Sequence, residues 1–159
     1  MNIESVNFIV RNLCVEDKDN IRKLEYSRPW AKGILTLADE LKEITLSQKE
    51  KFDYFENLWT QYQKEKYFWI IERKDGMFCG DVQIDKDSED EAHLYIQLLD
   101  ETDITGFGSE LFETIVEKIA DMSGIRTFYV ELWNEADKSK VVYTEAGYDI
   151  KNGYLELNV

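Results

Sequence analysis

The sequence predicts an α/β fold, a single mixed, mostly antiparallel sheet flanked by helices, and three observations predict it. Residues 67–98 hold three aromatic and β-branched runs at hairpin spacing, residues 107–119 carry an apolar helical stripe, and strand and helix patterns alternate after it. At 159 residues the chain has the length of one domain able to bury roughly two-thirds of its unfolded surface. There is no internal repeat and no Pro- or Ser-rich linker, so residues 1–159 are expected to form a single domain.

Asn7-Phe8-Ile9-Val10-Arg11-Asn12-Leu13 reads as a first strand. Residues 15–24 follow as a short helix, with Val15, Ile21 and Leu24 set among charges. Arg28-Pro29-Trp30 and Gly33 mark a loop that contains the only proline. Ser47-Gln48-Lys49-Glu50 has capping-box form, the serine accepting from the N3 amide while the glutamate reaches back. It opens an amphipathic helix, with Phe52, Phe55, Trp59 and Tyr62 on its apolar side, that runs to about Lys64.

Tyr67-Phe68-Trp69-Ile70-Ile71 and residues 77–85 flank the Lys74-Asp75-Gly76 turn as an antiparallel hairpin. The charged tip at residues 86–90 leads to a third strand, where Leu94, Ile96 and Leu98 alternate with His93, Tyr95 and Gln97. Phe107, Leu111, Ile115 and Ile119, flanked by Phe112 and Val116, make a wide helical stripe that should end near Gly124. Residues 125–132 read as a strand, 138–146 as a short helix stopped by Gly147, and 148–159 as a segment that turns at Asn152-Gly153 into a last strand.

Charge narrows the function classes. With 33 Asp plus Glu against 19 Lys plus Arg, the net charge is −14, which repels phosphate backbones and attracts cationic small molecules or basic peptides. A nucleic-acid partner is not expected. The 43% hydrophobic and 13% aromatic content is that of a folded chain rather than a disordered acidic tail. No apolar run approaches the roughly 20 residues of a membrane span, and the start lacks the blocks of a signal peptide, so no membrane association and a cytoplasmic location are expected. Cys14 and Cys79 have no metal-ligand spacing; both are expected to be buried thiols, and no metal is expected.

The chemistry centres on Asp100-Glu101-Thr102-Asp103-Ile104-Thr105-Gly106-Phe107-Gly108-Ser109, where a strand hands over to a helix. Two glycines allow close backbone approach, and the first helical amides carry about half a positive charge from the dipole. Such an end is either an anion site or only a tight turn that starts a helix.

One helix and one strand later comes Ser139-Lys140-Val141-Val142-Tyr143-Thr144-Glu145-Ala146-Gly147-Tyr148. Asp103-x-x-Gly106-x-Gly108 and Tyr143-x-x-x-Gly147-Tyr148, in this order, resemble the GCN5-related N-acetyltransferases (GNAT). That family's pyrophosphate loop reads Gln/Arg-x-x-Gly-x-Gly/Ala, and its late helix often ends Tyr-x-x-x-Gly-Phe. The likeness in element order spans nearly the whole chain and implies the GNAT-like, acyl-CoA N-acyltransferase fold. It also implies acetyl transfer from acetyl-CoA, used as co-substrate, to an amine.

By this resemblance the amides of Thr105, Gly106, Phe107, Gly108 and Ser109 hold the CoA pyrophosphate. The pantetheine lies in a splay between the fourth and fifth predicted strands, to which Leu98 contributes backbone, and the small residue Ser139 also belongs to the cofactor site. Tyr143 donates a proton to the departing thiolate, which suits a phenol with an ordinary pKa near 10. An amine must also lose a proton before it attacks, and His93 and Glu91 are candidates for that base, each alternatively a structural or solvated residue. Tyr26 and Trp30 are candidates for the acceptor site, since aromatic faces among carboxylates suit a cation.

The sequence also departs from the family pattern. Asp103 stands where the family has glutamine or arginine, Asp100 and Glu101 share the loop, and Ala136 stands where an asparagine is common, with Asn134 two residues earlier. At about 6 Å, each inward carboxylate facing a phosphate charge costs roughly 1–3 kcal/mol. The leading expectation is an N-acetyltransferase for a primary amine of a small cation or peptide terminus, acting by direct attack, with a homodimer as an open option. The alternatives are a degenerate GNAT-fold module for ligand sensing or protein interaction, with weak or no CoA binding, and an unrelated α/β domain whose glycine pair is only a turn.

Overall fold

The computed structural model describes residues 1–27, 48–132 and 137–159, with side chains except at 48–53. It forms two compact units, residues 1–12 with 67–159 and residues 13–66. The loop containing Trp30, the Ser47 cap, Asn134 and Ala136 lie outside the described residues.

The larger unit is built on a seven-stranded sheet whose spatial order follows the chain. Its strands are β1 (Ile3–Glu4), β2 (Phe8–Asn12), β3 (Phe68–Arg73), β4 (Phe78–Lys86), β5 (Glu91–Leu98), β6 (Thr127–Glu131) and β7 (Tyr154–Asn158). Neighbours are antiparallel except β5 and β6, which run parallel. That mixed, mostly antiparallel arrangement is the one the sequence predicts. The β3–β4 hairpin follows from its turn, where Gly76 takes φ 88° and Arg73 N–H donates to Met77 O at 2.9 Å. A parallel pair needs a crossover long enough to return the chain, and the helix between β5 and β6 supplies it.

Alternation fixes the faces. On β5, Ala92, Leu94, Ile96 and Leu98 are buried while Glu91, His93, Tyr95 and Gln97 are half-buried on the opposite face, and a one-residue slip would exchange the sets. The buried set shares one core with Val82, Phe128, Val130 and the helix that follows the glycine turn. This helix starts as a π-helix over Gly108–Phe112 and continues as α3 (Glu113–Ser123), where Gly124 at φ 81° accepts the left-handed stop. Leu111, Phe112, Ile115, Val116, Ile119 and Ala120 face the core. A last short helix, α4 (Lys140–Glu145), ends with Gly147 N–H to Thr144 O at 3.0 Å and Tyr148 N–H to Tyr143 O at 3.0 Å, the paired bonds of a Schellman stop.

The smaller unit contains α1 (Lys18–Ser27) and α2 (Gln48–Tyr62), joined through side chains. Buried Tyr62 donates to Glu25 at 2.6 Å, Arg22 lies 4.9 Å over the Phe55 ring, and Lys18 pairs with Glu56 at 2.7 Å. Phe55, Trp59 and Tyr62 are core residues, as their helical spacing suggests. Among the described residues no helix is long and apolar enough to cross a membrane.

Three expectations change. The two-residue β1, paired through Ile3 with Val10, was too short to show a period. The first helix begins as a 3-10 turn at Val15–Asp17, because the Asp17 carboxylate accepts the Cys14 amide at 2.9 Å and fixes a tighter entry. Cys14 is exposed, its Sγ donating to Asp17 at 3.1 Å, whereas Cys79 is buried and its thiol is pushed up to about 11 by desolvation.

Phe112 sits fully buried with its ring edge-on to Tyr143 at 5.2 Å and to Tyr148 at 5.7 Å, joining the π-helix to the segment around α4. Phe112→Ala should therefore lower stability by about 3–5 kcal/mol, measured by urea unfolding. Val141→Ala, at an exposed position of α4, should change it by less than about 0.5 kcal/mol.

Candidate functional site

The site is built where two parallel strands part. The ladder between β5 and β6 covers Glu91–His93 opposite Thr127–Tyr129, although β5 continues through residues 94–98 and β6 to Glu131. Those five further residues of β5 span roughly 17 Å. At their end the chain turns through residues 99–107 into the π-helix, so the open end of the splay meets the glycine turn.

That turn is wound by its own polar groups. Thr102 N–H donates to Leu99 O at 3.2 Å, and Phe107 N–H to Ile104 O at 3.0 Å. Asp103 does not point into the mouth; its carboxylate accepts Thr105 N–H at 2.9 Å, and this bond chiefly holds its carboxyl below the ordinary value. Gly106, at φ 91°, takes the left-handed conformation the turn requires. Glu110, one turn on, accepts from both nitrogens of Asn7, at 3.2 Å from the backbone and 2.7 Å from the side chain, and ties the helix start to the beginning of β2.

The two remaining amides go to one carboxylate. Glu145, the last residue of α4, accepts Gly106 N–H on Oε1 at 2.9 Å and Gly108 N–H on Oε2 at 3.1 Å. All four amides from Thr105 to Gly108 thus have an acceptor within the chain. Gly108 is small for a related reason: a Cβ there would lie 2.0 Å from Val142 O and 2.9 Å from Glu145 Cβ, so α4 itself makes the close approach. At the other end of the same segment, the Lys138 ammonium donates to Leu99 O at 2.9 Å, to Asp100 O at 2.7 Å and to Thr102 O. The turn is clasped from both ends of residues 138–145.

Neither clasping residue was singled out from the sequence. Their partners lie 36–39 positions away, and both look like solvated charges on a short helix. One signal was available in Glu145, since an acid in the last turn of a helix opposes the dipole and implies compensation from elsewhere.

The other candidate residues separate into groups. Ser139 is buried, and its amide and hydroxyl both donate to Asp137 Oδ1, at 3.0 and 2.7 Å. Tyr143 is 1% exposed. Burial pushes its phenol up, a hydrogen bond with the Ser139 side chain opposes this, and the charge of Asp137 adds to it. Leu98 is buried at the end of β5, and Ser109 Oγ donates to Gly106 O at 3.1 Å.

His93 and Glu91 lie on the opposite sheet face, at the closed end of the splay. His93 Nε2 is 3.2 Å from Asp87, and its ring stacks on Tyr95 at 6.1 Å and tilts against Tyr129 at 5.7 Å. Glu91 accepts the Tyr129 hydroxyl at 2.8 Å, a bond that chiefly pushes this phenol up to about 12. Tyr26 is half-buried on α1 with its ring 6.3 Å from Phe55.

A diphosphate does not fit the turn in this arrangement. The amides of Thr105 to Gly108 already have acceptors within the chain, and the adjoining pocket of about 220 Å³ is lined in part by Glu110, Glu113 and Glu145. Among the described residues there is no group of His, Cys, Asp and Glu that could hold a metal ion.

No protein-family model and no curated protein sequence matches the chain. Solved structures do match. A GNAT-family acetyltransferase from Bacillus anthracis is similar at a TM-score of 0.61 and 10% identity, over 96% of this chain and 86% of that one. A dodecameric spermidine N-acetyltransferase from Vibrio cholerae is similar at 0.62 and 17%, over 95% and 93%. An acetyltransferase from Agrobacterium tumefaciens is similar at 0.60 and 14%, over 100% and 94%. Likeness at this identity is one of architecture, carried by the sequential sheet, its single parallel pair and the flanking helices: the chain has the acyl-CoA N-acyltransferase fold of the GNAT acetyltransferases.

Proposed function

We propose that this chain, acting as one domain, is an N-acetyltransferase that moves the acetyl group of acetyl-CoA directly to a primary amine of a small cation or a peptide terminus. The observation that carries this reading is the parting of β5 from β6 onto the Gly106–Gly108 turn, within the fold described above. In the transfer the amine nitrogen releases a proton and bonds the acetyl carbon, the carbon–sulfur bond breaks, and the thiolate takes up a proton. Tyr143 is the proposed donor, because a phenol is protonated at neutral pH and can give its proton to a developing thiolate. His93 or Glu91 is the proposed acceptor of the ammonium proton, and Tyr26 and Trp30 are proposed to recognise the cation. Leu98, Ser139 and the backbone of Thr105 to Ser109 would hold the cofactor, with the Gly106 and Gly108 amides freed once Glu145 has swung aside.

The charge of −14 supports a cationic acceptor by attraction over the whole surface. Polyamines, aminoglycosides and amino-acid derivatives are the small-molecule classes to assay, alongside peptide termini. A second reading, a GNAT-fold module that senses a ligand or binds a protein without using CoA, is favoured by one observation: Glu145 already fills the amides of the turn.

Thermal melting separates the two. Acetyl-CoA at a hundredfold excess over its Kd should raise the midpoint by about 5–10 °C, since it binds the folded form only. No shift at millimolar acetyl-CoA selects the second reading. In a CoA-release assay with the best amine of a panel, Tyr143→Phe should lower kcat at least about tenfold with acetyl-CoA affinity unchanged. Turnover within a factor of two of the unmodified chain would remove Tyr143 from the mechanism.

A further inference from the structure

We propose that the Glu145 carboxylate is a resident anion of the glycine turn, an internal competitor that any diphosphate ligand must displace before it can bind. The choice of acetyl-CoA as that ligand rests on the acetyltransferase reading; the occupancy itself does not.

Four observations converge on Glu145. Of the amides from Thr105 to Gly108, two are consumed locally by Asp103 and Ile104, and the two that point away from the turn both reach the same carboxylate. One oxygen on each amide is the arrangement a bridging anion takes, and hydrogen bonds to a charged acceptor are about twice as strong as neutral ones. Second, the carboxylate is delivered by a segment fixed at both ends, with Val142 O against Gly108 and Lys138 bonded to Leu99, Asp100 and Thr102 carbonyls. Its effective concentration at the turn is therefore high, in the way a short linker makes a second binding event intramolecular. Third, Glu110 and Glu113 line the same pocket as Glu145, so an incoming diphosphate meets further negative charge beside the turn. Fourth, Glu145 is only half-buried, so the displaced charge can turn into water without a large desolvation cost.

Removing the carboxylate should leave two donors at a helix start in want of an acceptor, and an external anion is the available substitute. The same substitution removes a negative charge from the pocket, so both consequences raise anion affinity.

The test uses the full chain, with inorganic pyrophosphate and acetyl-CoA as separate probes, in the unmodified protein, Glu145→Gln and Glu145→Ala. Binding is read by calorimetry and by the Gly106 and Gly108 amide resonances. We expect pyrophosphate affinity to rise at least about tenfold in both variants, with the two glycine resonances moving on titration. Variants that melt like the unmodified chain and yet bind pyrophosphate no more tightly overturn the inference, as does tighter binding that leaves those resonances in place. If the variants gain pyrophosphate affinity while acetyl-CoA binds no better than pyrophosphate and no amine is acetylated, the resident anion stands and the acetyltransferase reading falls. A measurement on the unmodified chain keeps the test open should the variants fail to fold. Without ligand, the Gly106 and Gly108 amides should exchange with deuterium far more slowly than exposed loop amides, and exchange at the loop rate overturns the proposal.

Discussion

Backbone amides that open a helix have no partner within it, and the larger unit is organised around how this chain answers that requirement at the Gly106–Gly108 turn. The turn winds itself with Asp103 and Ile104 and hands its two outward amides to Glu145. To bring Glu145 there, α4 must lie directly on Gly108, which is why that position tolerates no side chain. The contact also joins opposite helix ends: the start of the π-helix carries partial positive charge and the end of α4 partial negative charge. Glu145, unfavourable at its own helix end, is compensated by the other. The packing beneath agrees, since Phe112 from one helix and Tyr143 from the other meet edge to face in the core.

Charge then sets the terms on which any ligand enters. Among the described residues no guanidinium is bonded to this turn, and Lys138 gives its three donors to carbonyls of the loop. The gain from two backbone amides is modest, because each is exchanged from one charged acceptor to another rather than released from water. What remains to drive binding is the length of β5 beyond its ladder with β6 and whatever the rest of the ligand buries. The end of β5 stands free of β6 beside the turn, while the carboxylates around it oppose an anionic ligand there.

The sequence showed the elements better than the site. The hairpin at Gly76, the alternation on β5, the stripe from Phe107 to Ile119 and the stops at Gly124 and Gly147 were legible, because each is a short-range pattern with a local physical cause. What was hidden is of another kind. The π-helix at Gly108–Phe112 keeps the same apolar residues inward as an α-helix, so its wider winding leaves no trace in the pattern. The three loop acids were a visible warning about anion binding, yet the carboxylate that occupies the turn belongs to none of them. Glu145 reaches it across a strand and a helix, and a single side chain at the end of a six-residue helix has no periodicity from which its aim could be read.

The geometry of α4 also says what kind of change can open the turn. Tyr143 and Glu145 are two residues apart, about 200° around a helix, so one is held in the core while the other faces the loop. Tyr143 is anchored by Phe112, and Val142 is buried against Gly108. Moving the whole helix would therefore break the packed Phe112–Tyr143 contact, whereas moving Glu145 alone breaks two hydrogen bonds and leaves it intact. A rotamer change at a half-buried carboxylate is the cheaper path by the entire cost of that packing. The opening step is thus confined to one side chain, the core that positions Tyr143 stays fixed, and the energetic barrier to an incoming anion is set by the Glu145 carboxylate rather than by the fold.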